Sequence, residues 1–477
     1  MKKDMGLTLI EKIWQEHEII NRDDGNSLIY IDRIFLHERT GSIALKNLEY
    51  ANRTVRNPSH VFCTMDHIVD TFPGRGDETL MPSGKEFIIS TRLSAKKTGI
   101  NFFDLGDPNQ GIVHVVSPEQ GIALPGVTLV CPDSHTCTVG GLGALGWGIG
   151  SSECEHALST STLIIKKPKM MKVIFDGTLP IGVTAKDLIL HLIQKFGAAG
   201  GTGYAVEFSG PVVENLEIEA RLTLCNMAVE FGAWTGIVAP DAKTFEYIAK
   251  RPFAPQGLAY DKALVHWENL RSDKDARFDE ILTIDCETMT PFVTWGTSPQ
   301  HAIPIDKSIP DPARETDSSS QKSMQRALQY MDLSPGTKMQ DIAIDAAFIG
   351  SCTNSRLSDL RAASAVLKDR KIASGVKAIC VPGSSRVKLE AEEEGLDQIF
   401  KAAGFEWRES GCSMCFFAGG ESFGEKQRVI TTTNRNFENR QGKRTRSHLA
   451  SPATVAASAV SGKLNDAKSL EIDDGTI

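Results

Sequence analysis

The chain has 477 residues, of which 41% are hydrophobic and 23% are charged. These are the proportions of ordinary globular proteins, so fibrous, collagen-like and disordered classes are excluded. The 52 basic and 60 acidic residues give a formal net charge of −8 and are mixed along the chain, which predicts no nucleic-acid partner. The chain lacks a long apolar run and its N-terminus is polar, so we predict a cytoplasmic protein without a membrane partner.

The predicted elements alternate between helices and short strands. Helical periodicity occurs in three stretches, which are Leu7–His17, Ala185–Phe196 and Leu357–Lys368. The β-rich runs are Val127–Cys131, Met171–Phe175, Ala205–Phe208 and Ala378–Val381. Gly197–Gly203 and Ile303–Gln321 have the composition of connections, the second that of an exposed linker between domains. This alternation predicts an α/β protein, and the length favours about three domains.

Histidines and aspartates occur together at the ends of predicted strands. These groups are Asp66-His67, His114 and Asp133-Ser134-His135. A single histidine in such a place is more often structural than catalytic. Three of them, two with a nearby aspartate, favour a cluster that transfers protons, because a carboxylate makes a neighbouring imidazole more basic.

The stretch Gly141–Gly146 has the spacing G-x-G-x-x-G of a dinucleotide-binding turn. Its glycines do not follow the preceding strand directly, since Pro132–Val139 intervenes, and no acidic residue ends a second strand at the required distance. We therefore predict that these glycines allow close helix packing.

Asn226 and Glu230 are four residues apart, which places them on one face if the segment is a helix. Solvated polar positions are the simpler interpretation. The apolar and small neighbours instead favour a half-buried carboxylate.

Three of the ten cysteines stand in small-residue turns: Cys352, Cys412 and Cys415. Cys352 follows an apolar strand and precedes a helical pattern, a position that favours a thiolate. Three such ligands suit a 4Fe-4S cluster with one iron left open. A zinc site with a histidine as its fourth ligand is the alternative, although structural zinc ligands usually come in two close pairs.

The loop Asn434–Arg440 places two arginines among amides. A surface loop would explain this composition as well. The guanidinium fork nevertheless suits bidentate binding of a carboxylate, which a lysine cannot provide.

Taken together, these motifs resemble the aconitase superfamily, and their order resembles the large subunits of isopropylmalate dehydratases. The resemblance runs along nearly the whole chain, from Tyr30-Ile-Asp-Arg33 through Gly200-Gly-Thr-Gly203 to Arg440-Gln-Gly442. It implies three α/β domains around an iron–sulfur cluster, at residues 1–168, 169–287 and 288–477, without a swivelling fourth domain. It also implies that a separate small subunit carries that domain and a catalytic serine.

The resemblance further implies a role for each matched residue. Cys352, Cys412 and Cys415 would hold one 4Fe-4S cluster, with Asn226 and Asn434 supporting it. Asp66 with His67 would protonate a departing hydroxyl, while His114, Asp133, His135 and Glu230 would activate water. His37, Ser134, Arg435 and Arg440 would bind the substrate.

The implied reaction removes water from 2-isopropylmalate and returns it at the neighbouring carbon, through isopropylmaleate, in leucine biosynthesis. A sister hydro-lyase acting on 2-methylmalate, homocitrate or another 2-alkylmalate is a close alternative, and an aconitase-like RNA-binding regulator is a distant one. Two departures from the expected pattern, the loop Ile68–Lys85 and Pro132, adjoin matched site residues. The resemblance therefore does not determine which alkyl group the substrate carries.

Overall fold

The computed structural model describes residues 6–417 and 420–473. Within them, the α-helices are α1 (Leu9–His17), α2 (Gly41–Tyr50), α3 (Gly84–Thr98), α4 (Val113–Glu119), α5 (Ser151–Thr160), α6 (Ala185–Phe196), α7 (Pro211–Asn215), α8 (Ile218–Asn226), α9 (Ala242–Ile248), α10 (Leu258–Trp267), α11 (Ser318–Met331), α12 (Leu357–Leu367), α13 (Ser385–Glu393), α14 (Leu396–Ala403), α15 (Pro452–Ser461) and α16 (Ala467–Asp473). The part of the chain described contains no helix long and apolar enough to cross a membrane.

The strands are β1 (Glu18–Asn21), β2 (Asn26–Tyr30), β3 (Arg33–His37), β4 (Val61–Thr64), β5 (Asn101–Phe103), β6 (Thr128–Cys131), β7 (Leu145–Gly148), β8 (Thr162–Lys166), β9 (Lys169–Asp176), β10 (Tyr204–Ser209), β11 (Thr235–Val238), β12 (Glu280–Asp285), β13 (Phe292–Thr294), β14 (Ala302–Pro304), β15 (Ala346–Ile349), β16 (Lys377–Cys380), β17 (Glu406–Trp407), β18 (Arg428–Thr431) and β19 (Arg446–Leu449). All the predicted helices and strands are present, with ends that differ by at most two residues. The predicted α/β class is confirmed.

The chain forms two compact units, each built from separated segments. The first unit takes the chain up to Ile68, Ser83–Thr178 and Ala199–Cys286; the second takes Val69–Pro82, Leu179–Ala198 and the chain from Glu287 onward. The division into three domains stays a prediction.

The stretch Ile303–Gln321 is largely exposed, as predicted, but the prediction that it links two domains is not supported, because the whole stretch lies within the second unit. Its first residues belong to β14, and α11 begins at Ser318. Ile305 and Ile309 are 0% and 2% exposed, so apolar side chains anchor this stretch in the core of the second unit.

A parallel five-stranded sheet with the order β5-β4-β3-β6-β7 lies in the first unit. The chain starts in the middle at β3, winds outward through β4 and β5, and then crosses to β6 and β7. Residues Ile34–Leu36 and Val61–Cys63 are all buried, as expected for strands that helices cover on both faces. The winding direction reverses between β3 and β6, and such a switch point is where open α/β sheets bind ligands.

The first unit also contains an antiparallel sheet, β1-β2-β8, and a parallel one, β11-β10-β9-β12. Its N-terminal helix α1 begins with a capping box, in which Thr8 and Glu11 satisfy each other's backbone N–H groups. The backbone N–H groups of Leu7 and Leu9 donate to Asp273 and Ser272, each at 2.8 Å. Residues 266 positions apart therefore fix the start of the helix.

The second unit contains a parallel five-stranded sheet, β17-β16-β15-β18-β19, and the hairpin β13-β14. The winding is the same as in the first five-stranded sheet, from the central β15 outward and then across to β18. Buried Phe348, Ile379, Met414 and Val429 form part of its core. The switch point of this sheet lies between β15 and β18.

Candidate active site

Side chains from three strand ends meet at the switch point of the first unit. β3 ends at His37, Asp66 and His67 follow β4, and Asp133 follows β6. A ring nitrogen of His37, a ring nitrogen of His67 and a carboxylate oxygen of Asp133 lie within 4.8 Å of one another. The fold thus brings together residues that are up to 96 positions apart.

His67 lies between two carboxylates. Its Nδ1 is 2.5 Å from Asp66 Oδ1, and its Nε2 is 3.2 Å from Asp133 Oδ2. Asp66 also accepts a hydrogen bond of 3.0 Å from the backbone N–H of Val113. Burial opposes ionisation of Asp66, but His67, His37 and the backbone N–H of Val113 together lower the pKa of this carboxyl. An ionised Asp66 holds a proton on Nδ1, so Nε2, which faces Asp133, is the nitrogen that can exchange a proton.

Asp133 connects three histidines. Its Oδ1 accepts from His114 Nε2 and from the backbone N–H of His135, both at 2.8 Å. Burial again opposes ionisation, yet the charge of His114 and the hydrogen bonds hold the pKa of Asp133 well below its usual range. The prediction that His114 stands at a strand end is wrong, because α4 begins one residue before it, at Val113.

His135 is held from both sides of its ring. Nε2 lies 3.0 Å from Glu230 Oε1, and Ser134 Oγ lies 3.3 Å from Nδ1. The Glu230 side chain is 10% exposed. The pair is thus shielded from bulk water yet close enough to pass a proton.

The helical face predicted for Asn226 and Glu230 is wrong. α8 ends at Asn226, and Glu230 lies in a separate 3-10 turn that closes at Gly232. Both residues still converge on His135, because Asn226 Nδ2 donates to Thr138 Oγ1 at 2.8 Å and this hydroxyl donates to the His135 carbonyl. The cluster-supporting role of Asn226 stays a prediction.

The ring of His37 stacks on that of His67, with centroids 4.0 Å apart. His37 Nε2 and Thr40 Oγ1 are 3.0 Å apart. Burial, followed by the charge of His67, lowers the pKa of His37 to about 4. His37 is therefore neutral near neutral pH and can contact a substrate without adding charge.

The glycines of the G-x-G-x-x-G stretch lie where the backbone packs closely. A Cβ at Gly141 would be 2.7 Å from the Leu222 nitrogen on α8, and one at Gly146 would be 2.3 Å from Val139 Cγ2. The predicted close helix packing is confirmed. The absence of side chains at these glycines lets the 3-10 helix Ser134–Leu142, which carries His135, pack directly against α8.

The three predicted cysteine ligands lie in turns of the second unit. Cys352 is in the turn between β15 and α12, as predicted, and Cys412 directly precedes the 3-10 turn Ser413–Cys415. All three are buried, at 4–7% exposure. The backbone N–H of Cys415 donates to the Cys412 carbonyl at 3.0 Å, which fixes the spacing of that pair.

Polar donors surround two of these sulfurs. Asn434 Nδ2 donates to Cys352 Sγ at 3.4 Å, Arg440 Nη2 donates to Cys415 Sγ at 3.7 Å, and Ser351 Oγ is 3.1 Å from Cys415 Sγ. Burial raises the thiol pKa of six other cysteines, which are Cys63, Cys131, Cys154, Cys225, Cys286 and Cys380. Donors that stabilise anionic sulfur suit a cluster held by three thiolates, so these residues fit that group.

The two predicted arginines follow β18 in the second unit. Arg435 is partly buried. Arg440 Nε is buried and has no hydrogen-bond partner among the described residues. This N–H is therefore available to an added anion such as a carboxylate.

Two buried charged residues beside these clusters escaped the sequence analysis. Lys186 is 0% exposed, and its Nζ donates to the carbonyls of Thr432 and Thr433 at 2.8 and 2.7 Å, just before Asn434. Burial lowers the pKa of Lys186 to about 7. Glu38, next to His37, is also 0% exposed. Charged residues at helix starts and strand ends usually face solvent, so there was little reason in the sequence to expect these two to be buried. The only sign of burial was that both stand beside apolar residues.

Residues 11–462 match the aconitase family (aconitate hydratase). The chain is 52% identical over 466 residues to 3-isopropylmalate dehydratase large subunit 1 of Bradyrhizobium diazoefficiens, covering 98% of this chain and 97% of that protein. A crystal structure of Thermococcus kodakaraensis aconitase X in its holo-form aligns with a TM-score of 0.46 and 14% identity over 86% of this chain and 84% of that one. Because the family match runs along nearly the whole chain, the chain belongs to the aconitase family.

Proposed function

We propose that this chain is the large subunit of a 3-isopropylmalate dehydratase. The enzyme isomerises 2-isopropylmalate to 3-isopropylmalate in leucine biosynthesis, by removing water and returning it through isopropylmaleate. The observation that carries this function is the 52% identity, over 98% of the chain, to a large subunit of that name. The imidazole and carboxylate network at the switch point of the first unit supports it, because both half-reactions need proton transfer.

One 4Fe-4S cluster per chain, held by Cys352, Cys412 and Cys415, is part of this proposal. When bound, it supplies a Lewis acid that makes hydroxide a better leaving group. The support is the burial of the three sulfurs and the donors from Asn434 and Arg440.

The acid in this mechanism is His67. With its Nδ1 on Asp66, it gives the Nε2 proton to the departing hydroxyl, which leaves as water. A base of the small subunit removes the carbon-bound proton, so the double bond forms and the charges balance. On rehydration, Asp133 with His114 and Glu230 with His135 orient the water. Its proton passes by way of Asp133 to His67 Nε2, which restores the acid.

Substrate binding completes the assignment. Arg435 and Arg440 hold the two carboxylates of the diacid, and Ser134 with His37 contact the rest of the substrate. The small subunit carries the swivelling domain, so the large chain alone is inactive. The cytoplasmic location stays a prediction.

The test is anaerobic co-expression of this chain with its small subunit, followed by metal analysis and hydration assays with isopropylmaleate, citraconate and cis-homoaconitate. We expect about four iron atoms per chain and a strong preference for isopropylmaleate. The chain purified alone is the control and should lack activity. A preference for another diacid would move the enzyme to a sister pathway, and zinc without hydration activity would refute the proposal.

A further inference from the structure

Glu38 is a buried carboxylate that the mechanism above does not use. It follows β3 directly, and its side chain is 0% exposed. Its Oε2 accepts the backbone N–H of Asp66 at 2.9 Å, and its Oε1 accepts the backbone N–H of Ile68. These N–H groups belong to the residues before and after His67, so one carboxylate fixes the backbone turn that carries the proposed acid.

This pattern requires a carboxylate. Both oxygens of an ionised glutamate accept hydrogen bonds, whereas an amide offers one oxygen and turns a donor toward the second N–H. A buried charge is costly, and the two charge-assisted hydrogen bonds offset part of that cost. A hydrophobic side chain would fill the same space without this cost. The buried charge therefore points to a function in holding the two backbone N–H groups.

The electrostatic surroundings make the charge of Glu38 sensitive to pH. The ionisable groups that face it are His37 at the end of β3, Cys63 on β4, and Asp66 and His67 after β4. Burial, followed by the charge of Asp66, raises the pKa of Glu38 to about 7, while His67 acts in the opposite direction. The ionised form, with both oxygens available as acceptors, therefore predominates only above neutral pH.

We propose that Glu38 is a positioning residue for His67, which holds the backbone of Asp66–Ile68 so that the imidazole stays aligned between Asp66 and Asp133. The proposal rests on the function given above for His67. It adds a residue that touches neither substrate nor cofactor and acts through the backbone of the acid.

The first test compares Glu38→Gln with the wild type as holoenzyme, co-expressed with the small subunit. The variant keeps the shape but loses one acceptor, so we expect kcat to fall about 100-fold, as for a small misplacement of a catalytic group. KM should change by less than about threefold, because substrate contacts are intact. The wild-type kcat should rise with pH through about 7, and the variant should lose this rise.

Glu207→Gln is the matched control. Glu207 is a buried carboxylate of β10 in the same unit, hydrogen-bonded to Ser272. The kcat and pH profile of Glu207→Gln should match those of the wild type. Identical kcat and pH profiles for Glu38→Gln and the wild type would overturn the proposal.

A second measurement needs no turnover and covers the case in which Glu38→Gln does not fold. Hydrogen–deuterium exchange over residues 62–68 is followed in the wild type and in Glu38→Asp, whose shorter side chain cannot reach both amides. We expect the amides of Asp66 and Ile68 to exchange faster in the variant. Equal exchange would overturn the positioning role, whereas an inactive wild-type holoenzyme with protected amides would refute only the proposed function.

Discussion

The two five-stranded sheets wind in the same order but present different chemistry at their switch points. In the first unit, imidazoles and carboxylates follow β3, β4 and β6; in the second, thiols, amides and guanidinium groups follow β15, β17 and β18. The four-stranded sheet β11-β10-β9-β12 is wound alike, yet none of the predicted site residues directly follows its strands. Winding therefore supplies a place for a site, and the residues after the strands decide what the site can do.

The two clusters also differ in how their polar groups are satisfied. In the first unit the groups satisfy one another, as Asp133 does with His67, His114 and His135. In the second, donors point at sulfur, and Arg440 Nε has no partner among the described residues. A self-satisfied network suits the movement of protons, whereas donors around sulfur suit the binding of an anionic group.

The largest effect should come from removing a cysteine ligand. Cys352→Ala should lose the bound iron and all measurable hydration activity, because one of three thiolates is missing. Iron analysis and visible absorption of the anaerobically purified holoenzyme are the measurements. Cys380→Ala, a buried thiol at the end of β16 whose pKa is raised, is the control and should keep both. Full iron content in Cys352→Ala would break the distinction between the two clusters.

The acid–base cluster should respond in the opposite way. His67→Gln should lower kcat by about 10²- to 10⁴-fold, the usual contribution of a general acid, while leaving the iron content unchanged. Steady-state kinetics and iron analysis on the same preparation check this. His156→Gln, on an exposed position of α5, should have wild-type kinetics. Loss of iron in His67→Gln would show that the two functions are not separable.

Asp133→Asn tests how far the network of the first unit stabilises the fold. Because the pKa of Asp133 lies well below 3.8, its ionised form contributes stability above pH 3.8, and this is lost as the pH falls through the folded-state pKa. Removing one partner of a buried ion pair costs roughly 3 kcal/mol, so we expect about that loss at pH 7 in urea unfolding. Asp261→Asn, exposed on α10, is the control. A difference from wild type that persists unchanged below pH 3 would contradict this account.

The smallest effect should come from Lys186→Met in the second unit. The variant removes the donors to Thr432 and Thr433, which costs about 1–3 kcal/mol of unfolding free energy. Looser packing of the loop before Asn434 should also speed the loss of iron to a chelator. Lys195→Met changes an exposed lysine of the same helix and should do neither. Equal chelation rates for the two variants would show that Lys186 serves the fold alone.

The sequence predicted those parts of both clusters that short motifs carry. Asp66-His67 and Cys412–Cys415 are neighbours in the chain, so their chemistry is visible without the fold. Lys186 escaped because its acceptors are 246 and 247 residues away, and no local pattern reports such burial. The predicted helical face of Asn226 and Glu230 was wrong for a related reason, since periodicity does not show that α8 ends at Asn226.

The segmented first unit has a consequence for synthesis on the ribosome. Helix α1 depends on Ser272 and Asp273 for its first hydrogen bonds, and β9 depends on β12, which ends at Asp285. The 266 residues between Leu7 and Asp273 take between about 13 and 53 s to translate at typical rates. During that interval the apolar face of α1, with Leu9, Ile13 and Trp14, has no completed core to enter. The first unit can therefore complete its core only after the middle of the chain has emerged from the ribosome.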